Sequence, residues 1–357
     1  MSKSVLQKQS VGIDVSKNDF VVRIFHRHDS GRLLRRNKKK FTQSAKGFAR
    51  FKEWLDKFIV ADVAAVIILE ATGVYHESLA HFLHRHDFSV SIVLPNKVKA
   101  YAKSFNEKSK TDELDADLLA RMGAERDLAL WQPAHPNLRQ VKALARQRQV
   151  FVQERTMMNN RLHAIQHSED AWPEIMERYQ MLIDQFNEQI QLLEKQIDEL
   201  RKTDQSLNEQ VQLLTSIPGV GVVSAIHVIA ESGAMQLFEN REQIVSYAGL
   251  DVVVHQSGSS VQKRSRISKK GNVRLRTALY MPAVSLIRSN GPFKNLYERV
   301  LERTGIPKKA LVAVQRKLLV VMFALIKKQE HYQIEKHQQR SKTTVGESKP
   351  AYTDSVG

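Results

Sequence analysis

Cysteine is absent from the 357 residues, which excludes disulfides and thiolate metal sites and is compatible with a reducing compartment. Long apolar runs are missing too. Met1 to Ser10 is polar and has no apolar signal core, and the longest late run, Leu318 to Ile326, is too short to cross a bilayer. These absences lead us to expect a cytoplasmic protein with no membrane partner. Acid is scarce relative to base: 38 Asp plus Glu against 55 Lys plus Arg give a net charge of +17 and a pI near 9.9. Such an excess is the footprint of a chain that meets phosphate backbones, although a merely soluble basic protein also fits it. The 42% hydrophobic content is ordinary, and the length leaves room for two or three domains.

The first hundred or so residues read as α/β. Ser10 to Val15 and Phe20 to Phe25 are short apolar or alternating runs with β-branched residues, and Leu33 to Phe41 is a basic third strand. Phe48, Phe51, Trp54, Leu55 and Phe58 give Ser44 to Phe58 a helical period. Ala64 to Leu69 reads as a buried strand, followed by a helix from Tyr75 to His86 and a strand from Phe88 to Leu94. Three strands, helix, strand, helix, strand, then a helix opening near Asp112 is the element order of the ribonuclease-H-like fold.

Two carboxylates stand out in those strands. Asp14 lies within the apolar run Val11-Gly12-Ile13-Asp14-Val15, and Glu70 closes Val66-Ile67-Ile68-Leu69-Glu70. An acid in an otherwise buried strand is costly unless it is paired or bound to a cation. A third and fourth come from Lys108-Ser109-Lys110-Thr111-Asp112-Glu113-Leu114-Asp115-Ala116-Asp117. If this stretch opens a helix, Asp112 and Asp115 share a face. Thr111 also fits an N-cap and the acids fit a first helical turn, so helix initiation alone could account for them. The expected fold sets the first and fourth strands side by side, facing that helix. Four oxygen donors without His or Cys suit Mg²⁺ or Mn²⁺, with Asp117 an extra acid nearby. His81, His84 and Arg85, by contrast, fit a solvated helical face better than a transition-metal site.

From Leu138 to about Leu200 the chain is helical, charged and without glycine. Met176, Tyr179, Ile183, Phe186, Ile190, Leu193, Ile197 and Leu200 form a heptad seam. The preceding helix threads as Val141, Leu144, Arg148, Phe151, Arg155, Met158, Leu162 and Ile165. Its two seam arginines make self-association through the later helix the preferred expectation, and hence a homo-oligomer. Ile217-Pro218-Gly219-Val220-Gly221, leading into an apolar helix from Val222 to Ala230, has the turn of a helix-hairpin-helix, which can hold phosphate, or of a plain interhelical connection. His255 to Arg276 carries Lys263, Arg264, Arg266, Lys269, Lys270, Arg274 and Arg276 with no acid between them. With Lys110 these are the candidate nucleic-acid contacts. Ser257-Gly258-Ser259-Ser260 reads as a turn, and Asn272 opens a helix expected to bury Leu275, Leu279 and Met281.

Val11 to Lys17, Glu70 to Tyr75, Lys110 to Ala116, Ile217 to Gly221, and Ser257 to Ser260 with Ser268 to Arg276 occur in that order. Together they closely resemble the DEDD-type insertion-sequence transposases of the IS110 family, from about Val11 to Ile326. The resemblance implies a RuvC-like N-terminal domain with Asp14, Glu70, Asp112 and Asp115 as catalytic acids and metal ligands. It further implies a C-terminal transposase domain with Ser257 as nucleophile, and a tetramer in which a bridge RNA pairs donor and target DNA. The reaction so implied is Mg²⁺-dependent attack by Ser257, leaving a covalent phosphoserine link and a free 3′-hydroxyl, in a composite site assembled on DNA. Two rivals are a hydrolytic RuvC-like endonuclease whose serine loop only grips phosphate, and a non-catalytic nucleic-acid-binding scaffold. The expected architecture is α/β plus α. A RuvC-like metal domain covers 1–135, coiled-coil helices 136–205, a helical transposase domain with a helix-hairpin-helix 206–330, and a disordered tail 331–357.

Overall fold

The computed structural model describes residues 4–333 except 72, 106–111, 170, 237 and 258–260, and it leaves out the side chains of 112–113, 253–257 and 261–265 as well. The chain divides into two compact units, Met1–Pro133 and Ala134–Gly357.

The first unit runs β1 (Leu6–Val15), β2 (Asp19–His28), β3 (Leu33–Thr42), α1 (Ala45–Phe58), β4 (Ala65–Glu70), α2 (Tyr75–Arg85), β5 (Val90–Val93), α3 (Pro95–Lys103) and α4 (Asp112–Glu125). The five strands form one sheet in the order β3-β2-β1-β4-β5. β1 pairs antiparallel to β2 and β2 to β3, whereas β1, β4 and β5 run parallel. This order and polarity are those of the ribonuclease-H-like fold.

Strand alternation sends side chains to two layers. Val11, Ile13, Val15, Phe20, Val22, Ile67 and Leu69 pack with Phe48, Phe51, Trp54 and Leu55 of α1 and with Leu79, Ala80 and Leu83 of α2. On the other face Val66 and Ile68 meet Leu118, Leu119 and Met122 of α4 and Val98 and Tyr101 of α3. Helix α1 starts where the Ser44 side chain accepts from the Gly47 amide, at 3.2 Å. Helix α3, with Pro95 at its first turn, has no counterpart in the sequence reading.

The second layer depends on two glycines. A Cβ on Gly12 would collide with the carbonyl oxygen of Ala116 and the amide nitrogen of Ala120, and one on Gly123 would strike the ends of the Ile68 and Ser10 side chains. Helix α4 therefore lies directly on the β1 backbone. It runs antiparallel to the strand, with its first turn at the strand's C-terminal end.

The second unit opens with two long helices, α5 (Pro136–Gln166) and α6 (Pro173–Thr203). It continues through α7 (Gln205–Thr215), α8 (Val222–Ser232), α9 (Arg241–Tyr247), the antiparallel hairpin β6 (Val252–Ser257) and β7 (Val261–Ile267), α10 (Val273–Ala278), α11 (Tyr280–Arg288), α12 (Pro292–Thr304) and α13 (Pro307–Lys328). Its core gathers Val141 and Ala145 of α5, Leu214 of α7, Ile226 and Ile229 of α8, and Val314, Leu318 and Met322 of α13.

The seam of α6 packs against α5 of the same chain, the alternative to self-association that the sequence left open. Phe151 packs on Phe186 with ring centroids 5.8 Å apart. The two seam arginines, which had argued against this pairing, are its polar contacts: Arg148 reaches Glu194 at 2.6 Å and Arg155 donates to Asn187 at 2.9 Å. Long arginine stems fill an apolar seam while the guanidinium finds an acceptor at its edge. Met281 is a correction. It is 64% exposed, because α10 ends at Ala278 and α11 restarts the helical phase at Tyr280, burying Pro282, Ala283 and Leu286 instead. Tyr332 is packed against the same core, and its amide donates to the Ser216 hydroxyl at 2.8 Å. Ordered chain thus reaches past the expected tail boundary at 331; residues 334–357 lie outside the described residues. Among the described residues no helix is long and apolar enough to cross a membrane.

Gly12→Ala should lower stability by roughly 1–3 kcal/mol through overpacking against backbone. Gly123→Ala should cost less, because the atoms it meets are ends of side chains. Urea unfolding of the two variants checks the ranking, and the reverse order would contradict the α4 contact.

Candidate nucleic-acid cleavage site

The sheet register and the α4 contact set the backbone positions of the four acids relative to one another. Asp14 follows Gly12 by two residues, so it emerges on the α4 face. Glu70 follows Ile68 by two and shares that face. Ile13 pairs with Leu69 in the parallel β1–β4 ladder, so the next rung sets Asp14 beside Glu70. On α4, Asp112 lies four residues before Ala116 and Asp115 four before Leu119. Ala116 meets Gly12, and Leu119 packs with Ile68. The backbone thus brings the two strand acids and the start of α4 to one corner of the first unit.

Asp14, Glu70 and Asp115 are each half-buried, and each makes contacts of its own. The Asp112 side chain lies outside the description. Among the described residues no group of three or more His, Asp or Glu side chains is placed so that it could hold a metal ion. The donor types nevertheless suit one, since carboxylates without imidazole are the ligands a hard divalent cation prefers.

Asp117 faces elsewhere. Its carboxylate is ion-paired with Arg23 of β2 and, at 3.0 Å, with Arg35 of β3, and only 9% of its side chain is exposed. Nearby, Tyr101 of α3 donates to Glu125 of α4 at 2.6 Å, and Arg121 pairs with Glu125 at 2.9 Å while stacking on Phe105. Burial and the Glu125 contact push the Tyr101 phenol well above its ordinary range. His81 and His84 pack edge-on against Trp131 at 5.0 and 5.9 Å, so they are less solvated than their spacing suggested.

Ser257 ends β6, with its backbone opposite Val261; its side chain lies outside the description, as do residues 258–260. Lys263 and Arg264 are placed on β7 by backbone alone, and Lys110 is outside the described residues. Arg266, Lys269, Lys270 and Arg274 are exposed. Arg276 is not: it is half-buried and donates to the Ala248 carbonyl at 2.7 Å, which assigns it to structure.

The segment from Ser268 to Arg276 clamps the root of this hairpin. The Ser268 hydroxyl donates to Asp251 at 2.5 Å, joining the two strand ends. A Cβ on Gly271 would collide with the carbonyl oxygen of Tyr247. Asn272 caps α10 by accepting from the Leu275 amide at 3.1 Å, and its side-chain amide donates to Glu231 at 2.9 Å. Glu231, 2% exposed within α8, also takes two bonds from Arg146 of α5, at 2.6 and 2.9 Å. The sequence reading missed this group, although Glu231 is a lone acid in the apolar run from Val222, the same signal that marked Asp14. Burial pushes the Glu231 carboxyl upward, but bonds from Arg146 and Asn272 and the charges of Arg146 and Lys142 outweigh it, and its pKa ends below the ordinary value.

A depressed carboxyl pKa stabilises the fold above the unfolded value and loses that contribution as pH falls through the folded one. Glu231→Gln should therefore flatten the acid limb of a urea-midpoint profile below about pH 5, and an unchanged limb would contradict the pairing. Arg146→Met, which leaves a buried carboxylate short of its cation, should cost roughly 2–4 kcal/mol, and Arg146→Met with Glu231→Met should recover much of that loss.

Residues 11–167 match a family model for transposases of the DEDD IS110 type, and residues 211–298 match one described as Transposase IS116/IS110/IS902 family. The pilin gene-inverting protein of Moraxella bovis is 33% identical over 323 residues, covering 90% of this chain and 97% of that protein. The transposase for insertion sequence element IS1111A of Coxiella burnetii is 26% identical, over 74% of this chain and 79% of that protein. T. thermophilus RuvC, solved with a Holliday junction substrate, aligns with 34% of this chain and 99% of its own at 14% identity and a TM-score of 0.25; the sheet order, not this likeness, establishes the fold. The DEDD type implies dependence on a divalent metal. The chain is a member of the IS110 family of transposases, a DNA transposase/recombinase whose N-terminal unit has the ribonuclease-H-like fold.

Proposed function

We propose that this transposase breaks and rejoins DNA through a phosphoserine link to Ser257, with Asp14, Glu70, Asp112 and Asp115 holding Mg²⁺ or Mn²⁺ at the scissile phosphate. The observation that carries the reading is the meeting of β1, β4 and the first turn of α4 at one corner, with four acids at those positions. A bound divalent cation there would supply neutralisation of the phosphate charge that grows during displacement.

The chain's own groups do the rest. The Ser257 hydroxyl gives up its proton to solvent as its oxygen forms the new bond to phosphorus, the bond from phosphorus to the 3′-oxygen breaks, and that oxygen takes up a proton from solvent and leaves as the 3′-hydroxyl. Lys263, Arg264 and Arg266, on the strand that pairs with β6, offset the charge of the pentavalent phosphorus. The link preserves the energy of the broken bond, so a second strand end can displace serine without ATP. Arg146, Glu231 and Asn272 act at a distance by fixing the root of the hairpin. The same reading, from the family resemblance, makes the active species a tetramer in which a bridge RNA pairs donor and target DNA. The net charge of +17 supports a chain that handles several nucleic-acid strands.

Ser257→Ala should abolish a denaturation-resistant protein–DNA adduct while leaving DNA binding within about twofold, since the change removes no charge. Asp14→Asn should abolish cleavage and adduct together. Cleavage that persists in Ser257→Ala with no adduct would replace this reading with a hydrolytic one.

A further inference from the structure

The basic third strand is not used by the chemistry above. β3 is an edge strand, and beside it Lys39, Phe41, Arg50, Trp54, Lys57 and Phe58 line an open groove of about 560 Å³. Arg50, Trp54 and Lys57 follow one another at helical spacings of four and three, so a single stripe of α1 faces the β3 edge. Lys39, Arg50 and Lys57 are exposed. Lys39 lies over the Phe41 ring at 5.4 Å and Lys57 over the Phe58 ring at 5.7 Å. Lys40 is turned to Asp19, at 2.8 Å, and Glu53 is the acid in the lining.

Lysines on an edge strand guard against sheet-to-sheet pairing, which accounts for the strand cations but not for Arg50 and Lys57 on the helix. The groove also lies on the α1 face of the sheet, whereas Asp14 and Glu70 emerge on the α4 face. A strand held here is therefore not the phosphate being cut.

We infer that the β3–α1 groove is a second nucleic-acid site, one that holds a single-stranded segment with its phosphates on Lys39, Arg50 and Lys57 and its sugars and bases against the apolar floor of Phe41, Trp54 and Phe58. Cations above an aromatic floor are the two halves of single-strand recognition. A duplex keeps its base faces stacked away and gains nothing from such a floor. This inference does not depend on Ser257 being the nucleophile.

The test uses the full chain and fluorescence anisotropy with a short oligothymidylate and a matched duplex, over a range of salt. Lys39→Ala with Arg50→Ala and Lys57→Ala should weaken oligothymidylate binding by about tenfold and reduce the slope of log affinity against log salt by about 2, three phosphate contacts being lost. Duplex binding should stay within about twofold. A control removing the same charge, Lys308→Ala with Lys309→Ala and Lys328→Ala, should leave oligothymidylate binding unchanged. Thermal melts confirm that both variants fold. The inference is overturned if the wild type does not bind the single strand, if the groove variant binds it normally, or if the control variant or the duplex shows the same loss.

Discussion

The approach of helix α4 to strand β1 across the bare backbone of Gly12 is the contact on which the site depends. Any side chain at that position would meet backbone atoms of Ala116 and Ala120, so the helix could not come down onto the sheet. With glycine there, an apolar layer closes behind it through Ile68, Leu119 and Met122. The first turn of the helix is thereby brought to the end of the strand where Asp14 and Glu70 emerge. Grouped carboxylates repel one another and are costly to desolvate. Apolar packing away from the corner offsets that cost, and a cation removes much of it. That balance of cost and relief is the physical reason for proposing a divalent cation at this corner.

The second unit solves a related problem with charge on the inside. Its serine hairpin is a two-stranded ribbon, which is weak by itself. The root of that ribbon is tied by Ser268 to Asp251. Asn272 then connects it to the buried Glu231, and Arg146 connects Glu231 to the long helix α5. A buried carboxylate with these partners fixes one arrangement of three helices, α5, α8 and α10, because other packings leave it unpaired. The arginines in the α5 seam follow the same logic, being tolerated where a neighbouring helix supplies the acceptor.

Much of the first unit was legible in the sequence because strand alternation and burial leave a direct trace: Val11 to Val15 and Val66 to Glu70 read as strands, and they are neighbours. What sequence patterns cannot show is proximity between distant backbones. Gly12 carried no signal as a contact for α4, and Asp117 looked like a fifth member of the acidic group until Arg23 and Arg35 were seen to hold it. Helix α3 went unread because Pro95 opens a short segment with only Val98 and Tyr101 buried, too few for a period. Met281 was misplaced by running one helix through a break at Leu279. Glu231 was legible by the rule that had marked Asp14, since it is an isolated acid in an apolar run. Its partners lie far apart in the chain, and only the fold brings them together.

The central claim is that residues from β1, β4 and α4 surround one divalent cation. Fe²⁺ in place of Mg²⁺, with ascorbate and peroxide, generates hydroxyl radicals that cut the protein backbone next to the bound metal. The account predicts cuts confined to the neighbourhoods of Asp14, Glu70 and Asp112 to Asp115, suppressed by excess Mg²⁺. Cuts at only one of the three segments, or at sites elsewhere that Mg²⁺ also suppresses, would contradict it.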